Sequence, residues 1–361
     1  MRSPDLQQGK LLYHVHPESR IPKKHPLRPI KEMANACLRT LTAEFSKMYS
    51  PIGRPSIPPE RLLKALLLQV LYSIRSERAL VEHLDYNLLF RWFVGLSPDD
   101  PVWDASSFSK NRDRLIEADI AMEFLEQVIA MAEGQGLISK EHFTVDGTLL
   151  EAWASVKGFK PKDTPPPDES GARGGRNEAV DFHGEKRSNA THASQTDPEA
   201  MLAKKGKGKE AKLCYTGHAL MENRSGLVVN ARVTRATGTC EREAAGEMLE
   251  ETVDHVRATV AADKGYDCKG FVKHCRNRRI TPHVAQKQNS AIDGRTTRHP
   301  GYAVSMRVRK RVEEVFAWVK TIACLRKVRH RGVAKTSWIF TFATAAYNLV
   351  RMRNLGVVPA R

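Results

Sequence analysis

Three carboxylates in this chain stand where metal-assisted chemistry on phosphates could be done. Glu313 lies in Arg309-Lys-Arg-Val-Glu313-Glu-Val-Phe-Ala-Trp-Val-Lys320. On a helix turning about 100° per residue, Arg309 falls about 40° and Lys320 about 20° from Glu313. The three would share one stripe beside an apolar one made of Val312, Val315, Phe316, Val319, Ile322 and Ala323. Glu314 points about 100° further round, into solvent. The plain alternative is a surface helix with i,i+4 ion pairs.

Two aspartates resemble each other in context. Asp146 follows Phe143-Thr-Val and precedes Gly147-Thr148; Asp263 follows Val260-Ala-Ala and precedes Lys264-Gly-Tyr266. Each reads as the end of an apolar strand, where the backbone turns away and a ligand can approach. A turn or helix cap is the ordinary use of such an aspartate. Phosphodiester transfer gives a reason for three acids. It needs an aligned attacking oxygen and a stabilised leaving oxygen, and two Mg²⁺ ions about 3.5–4 Å apart serve both. Mg²⁺ takes oxygen ligands and keeps several waters, so a few carboxylates suffice.

These acids need elements to position them. Pro58 and Pro59 mark the start of an apolar helix over 60–74, Ser76 caps 77–84, and 86–96 carries Leu88, Leu89, Trp92 and Phe93 at helical spacing. Asp104 opens a helix to residue 115, and another over 120–133 ends at Gly134 and Gly136. One more helix is expected over 30–45. Residues 142–146 then read as a short strand, 212–221 and 226–233 as a hairpin, 241–256 as a helix, and 258–262 as a buried strand. A helix over 271–279, a strand over 281–285, and helices over 308–326 and 337–355 complete the order. The expectation is α/β: an all-helical N-terminal domain, then a mixed-sheet domain with acids at strand ends. The boundaries are an extension over 1–50, helices over 51–139 and the α/β domain over 140–355. Residues 156–211, with Pro165-Pro-Pro167, Gly171 to Gly175 and a run of lysines, form a long basic insertion in it.

Composition narrows the partners. With 41% hydrophobic and 27% charged residues the chain is globular. A net charge of +17, from 58 Lys+Arg against 41 Asp+Glu, points to a polyanion, and nucleic acid is the usual one. No apolar run approaches the roughly 18 residues of a membrane span, and no signal-peptide core is evident near the N-terminus. The six cysteines include no CxxC pair and read as reduced thiols.

The Phe-Thr-Val-Asp146-Gly-Thr and Ala-Asp263-Lys-Gly-Tyr266 stretches, with Arg309-x3-Glu313-x6-Lys320, resemble a bacterial insertion-sequence transposase of the DDE class. Residues 54–115 also resemble the N-terminal domain of a subset of that family. Where the family extends the third motif with a tyrosine, this chain has Met306. The resemblance implies an RNase-H-like catalytic domain, with Asp146, Asp263 and Glu313 as catalytic metal ligands. It implies two Mg²⁺ ions, for which Mn²⁺ can substitute. It further implies cleavage of double-stranded DNA at terminal inverted repeats, 3′-hydroxyl strand transfer into target DNA, and a homo-oligomer, such as a dimer, on paired ends. Such a protein would be cytoplasmic and nucleoid-associated when DNA-bound. Arg309 and Lys320 then become phosphate contacts. Lys204, Lys205, Lys207 and Lys209 would either track DNA or form a solvated loop. Lys110, Arg112 and Arg114 sit where a recognition helix would start, unless that region serves dimerisation, and Arg326 and Arg329 extend the basic face. Trp153 reads as core. Two other readings stay open: a metal-dependent endonuclease or resolvase without joining, and a non-catalytic DNA-binding protein.

Overall fold

A computed structural model describes residues 16–49, 52, 56–162, 187–206, 208–254 and 257–357. Helices come first: α1 (Pro17–Arg20), α2 (Leu27–Thr40), α3 (Thr42–Met48), α4 (Pro59–Leu71), α5 (Glu77–Tyr86), α6 (Leu88–Val94), α7 (Ala105–Glu117) and α8 (Ile120–Gly134). Their starts follow the sequence signals. Pro59 opens α4; Ser76 Oγ accepts from Ala79 N–H at α5; Asp104 accepts from Ser107 N–H at α7. Two expectations need correction. The helix expected over 30–45 is two helices, divided at Leu41. The one expected from Tyr86 begins at Leu88, because the Asn87 side chain accepts from Leu89 and Phe90 N–H and caps it there.

The strands are β1 (His142–Glu151), β2 (Phe159–Pro161), β3 (His192–Ser194), β4 (Met201–Ala203), β5 (Lys212–Glu222), β6 (Val228–Arg235), β7 (Thr259–Ala262) and β8 (Thr281–Val284). In the main sheet β6, β5 and β1 run antiparallel in that order, and β1, β7 and β8 continue in parallel. β4 shares the outer edge of β5 with β6. This is the RNase-H-like order. The segment expected as one long insertion therefore contains regular structure: β2 pairs β3, and β4 joins the sheet. The Pro-Pro-Pro and Gly-rich stretches and Lys207 lie outside the described residues.

The remaining helices are α9 (Cys240–Thr252), α10 (Lys269–Asn277), α11 (Gly294–Thr297), α12 (Pro300–Val308), α13 (Val312–Thr321) and α14 (Val333–Asn354). They cover both faces of the sheet, because β1 and β5 alternate. Phe143, Val145 and Leu220 join α9, α10 and β7 in one apolar cluster. Leu150, Ala219 and Met221 join the other, which contains α13, α14 and the helices from α2 onward. In that second cluster Phe342 of α14 lies 5.7 Å from Phe124 of α8, and Trp338 Nε1–H donates to Leu115 O of α7 (3.0 Å). The early helices and the main sheet thus share one core. Ile30, Met33 and Leu38, in residues expected to be a loosely patterned extension, are part of it. Trp153, expected in the core, is exposed, with Lys327 Nζ 5.4 Å from its ring centre.

Three histidines make the fold acid-sensitive. Burial, then the charge of Arg232, lowers His218 to about 3. Burial, then the neighbouring His142 and His299, lowers His283 to about 4. Burial, then Arg112 and Arg329, lowers His330 to about 4. With folded values below the ordinary 6.5, the unfolded chain takes up the extra protons. Their contribution is present above pH 6.5 and lost as pH falls toward 4. Asp146, pushed up by burial, and Asp119, Glu126 and Glu241, also raised, have the opposite sign, but burial lowers His25 and His142 as well. The urea midpoint is expected to be lower at pH 5 than at pH 7; an equal or higher midpoint would contradict this.

Candidate active site

One cleft of about 700 Å³ is lined by Asp146, Asp263, Glu313, Lys320, Lys204 and Lys205, together with Glu241. Asp146 is not at the end of its strand, as the sequence suggested. It sits inside β1, paired with Ala219 of β5, because β1 continues along β5 to Glu151. On its other edge β1 pairs with β7 only through Thr144. Asp146 therefore emerges just past the point where β7 stops. Asp263 follows the last residue of β7, as expected, and its Oδ1 accepts from Gly265 N–H (2.6 Å).

The third element differs from the uninterrupted helix expected over 308–326. Residues 309–311 form a 3-10 turn between α12 and α13. The α-helical phase cannot run from Arg309 to Glu313 through that turn. Within α13 the phase holds: Val312, Val315, Phe316 and Val319 are buried, and Glu313 and Lys320 line the cleft. Glu314 lies on the side of Tyr347 of α14, whose hydroxyl its charge raises after burial does. Lys320 Nζ donates to Thr148 Oγ1 (2.6 Å), tying α13 to β1. Burial lowers Lys320, assisted by the charges of Lys205 and Arg326.

Electrostatics divide the acids. Burial first, then the carboxylates of Asp263 and Glu241, pushes Asp146 up to about 7. The Gly147 N–H donated to Asp146 Oδ1 (2.8 Å) and the charge of Arg309 act against that. Burial and Asp263 raise Glu241. The Tyr266 hydroxyl is buried, has no hydrogen-bond partner among the described residues, and is raised well above its ordinary value by burial and by Asp146, Glu241 and Asp263. Glu241 is the acid the sequence reading missed. In sequence it is an ordinary first-turn acid of a helix; only the fold sets it against Gly147 of β1.

The other cations are dispersed. Lys110, Arg112, Arg114, Arg326 and Arg329 do not line the cleft. Arg112 is held by Glu77 and Asp113, Arg114 lies over the Tyr49 ring (5.6 Å), and Arg329 donates to Ile74 O (3.4 Å). Lys110 is exposed, and Arg326 is near enough to Lys320 to repel its charge.

Residues 15–114 match a family model described as a transposase domain (DUF772), and residues 179–349 one described as a transposase DDE domain. The chain belongs to the DDE transposases. No curated protein matches this transposase. Among solved structures, a piggyBac transposase synaptic complex with hairpin DNA is similar at a TM-score of 0.44 and 12% identity, over 93% of this chain and 77% of that one. A pre-cleavage Mos1 transpososome is similar at 0.20 and 9%, over 84% and 81%. DDE transposases cut DNA, transfer strands, and generally use divalent metal ions.

The donors suit such an ion: the cleft offers the carboxylate oxygens of Asp146, Asp263, Glu313 and Glu241, and burial raises Asp146. Among the described residues no three His, Cys, Asp or Glu side chains close around one point as a filled site would. No described helix is long and apolar enough to cross a membrane.

Proposed function

We propose that this cleft is the active centre of the transposase. In this reading Asp146, Asp263 and Glu313 hold the divalent ions, two Mg²⁺ or Mn²⁺ in the full site. The supporting observation is that three acids remote in sequence line one cleft together with Lys320, Lys204 and Lys205. A divalent cation held there supplies activation of the attacking oxygen and stabilisation of the leaving oxygen. The protein's own part is to bind and orient. Lys320, fixed on β1 through Thr148, and the two lysines beyond β4 offer ammonium groups to phosphates entering the cleft. Arg309 offsets the crowded carboxylates from the Asp146 side.

The proposed reaction is cleavage at terminal inverted repeats, followed by attack of the freed 3′-hydroxyl on target DNA, by a dimer on paired ends. The enzyme would work in a bacterial cytoplasm, associated with the nucleoid when DNA-bound. Lys207 and Lys209 would continue the phosphate track, and Lys110, Arg112, Arg114, Arg326 and Arg329 would contact DNA outside the cleft. Arg112 would have to leave its acidic partners to do so. In domain terms, the helices over 51–139 would serve DNA binding or dimerisation and 140–355 catalysis. Such contacts make binding fall steeply with salt.

The test is to incubate the full chain with Mg²⁺ and a labelled duplex carrying the terminal inverted repeat of the element. Joined products are expected. Cut but unjoined DNA would indicate a nuclease, and shifted but intact DNA a binding protein.

A further inference from the structure

The carboxylates along α9 have different fates. Glu247 and Glu251 pair with Arg232 of β6, and Glu250 lies 3.6 Å from His274 Nε2 of α10. Glu243 is exposed to water. Glu241, in the first turn, has neither arrangement: it is partly buried, and among the described residues it makes no hydrogen bond or ion pair. Its neighbours on the cleft wall are two more acids, Asp146 and Asp263.

Its position depends on a missing side chain. A Cβ at residue 147 would stand 2.9 Å from both Glu241 Cγ and Oε1. Glycine there lets the glutamate lie directly on β1, beside Asp146. A second observation comes from a different element. Tyr266, only 1% exposed, has a hydroxyl without a partner among the described residues, and it feels the charges of these same three acids. Three like-charged acids lining one cleft, with an unsatisfied buried hydroxyl, are costly unless a cation, with its waters, enters the cleft.

The ordinary use of a first-turn acid is to complement the helix dipole. Solvent-exposed Glu243 does that without burial. The dipole gives no reason to place Glu241 in a cleft with two like charges. We propose that Glu241 is a fourth functional carboxylate of the cleft, sharing with Asp146 and Asp263 the binding of the divalent cation. The inference rests on reading this cleft as a cation-dependent centre, and it adds an acid from α9 to the three in the family motifs.

The experiment measures binding of Mn²⁺ alone to the full chain by electron paramagnetic resonance, without DNA. The wild type is expected to bind, Asp146→Asn to lose binding, and Glu241→Gln to bind at least about tenfold more weakly. Glu241→Asp, which keeps the charge on a shorter stem, should fall between. Thermal melting without metal separates a structural role: Glu241→Gln should melt at or above the wild-type temperature, since a repulsion is removed. A lower melting temperature would mean that Glu241 mainly holds α9, and would overturn the proposal. Undiminished Mn²⁺ binding by Glu241→Gln, with Asp146→Asn defective, would overturn it while leaving the active-centre reading intact. No Mn²⁺ binding by the wild type would remove both.

Discussion

Asp146→Asn is expected to reduce DNA cleavage by more than about a thousandfold without unfolding the protein. Asp146 lies on the central strand of the sheet, between β5 and the point where β7 ends. Asparagine has nearly the same shape and retains an oxygen to accept the Gly147 N–H, so strand pairing should be undisturbed. What it loses is the charge. Burial makes that charge costly in the metal-free protein, holding the carboxyl at about 7. The variant should therefore melt at or above the wild-type temperature without metal, and stop gaining stability from added Mg²⁺. Gel analysis of a labelled duplex and a melting curve with and without Mg²⁺ check the two halves. Retained Mg²⁺-dependent cleavage would remove Asp146 from the active centre.

Glu313→Gln should lower cleavage by more than about a hundredfold, whereas Glu314→Gln should leave it within about threefold of wild type. The contrast comes from one helix. Val312, Val315, Phe316 and Val319 anchor α13 in the core and fix its rotation. That rotation turns Glu313 into the cleft and Glu314 toward Tyr347, whose ring also meets Trp318 edge-on at 5.7 Å. Both variants should still shift DNA in a gel, since Lys204, Lys205 and Lys320 are untouched. Equal losses at the two positions would mean that α13 is rotated differently in the working enzyme.

The two predictions also show where the sequence was readable. Asp263 could be located because an apolar run stops at a residue that caps the next turn, which is local information. Glu313 could be chosen over Glu314 because α13 is regular over its own length. Asp146 was misjudged because the continuation of β1 depends on pairing with β5, which is remote in sequence. Gly147 looked like a stop and instead makes room for Glu241. The turn at 309–311 leaves no mark, since Arg-Lys-Arg suits an α-helix as well as a 3-10 turn. Glu241 was invisible for a related reason: its sequence neighbours describe a plain helix start, and its significance arises only from the strand beneath it. β4 was hidden by its polar, lysine-rich surroundings.

The shared core of α8, α14 and the sheet has a geometric consequence for a DNA-cutting enzyme. Trp338 and Phe342 bind the early helices to the same α14 whose threonines and aromatics lie against β5 and β6. Any duplex held by those helices would be held at a fixed offset from Asp146, with no linker to stretch. The spacing between a recognised base pair and the cut would be measured by a rigid body, like a ruler. Inserting or deleting a few base pairs between the two would present the wrong phosphate to the acids.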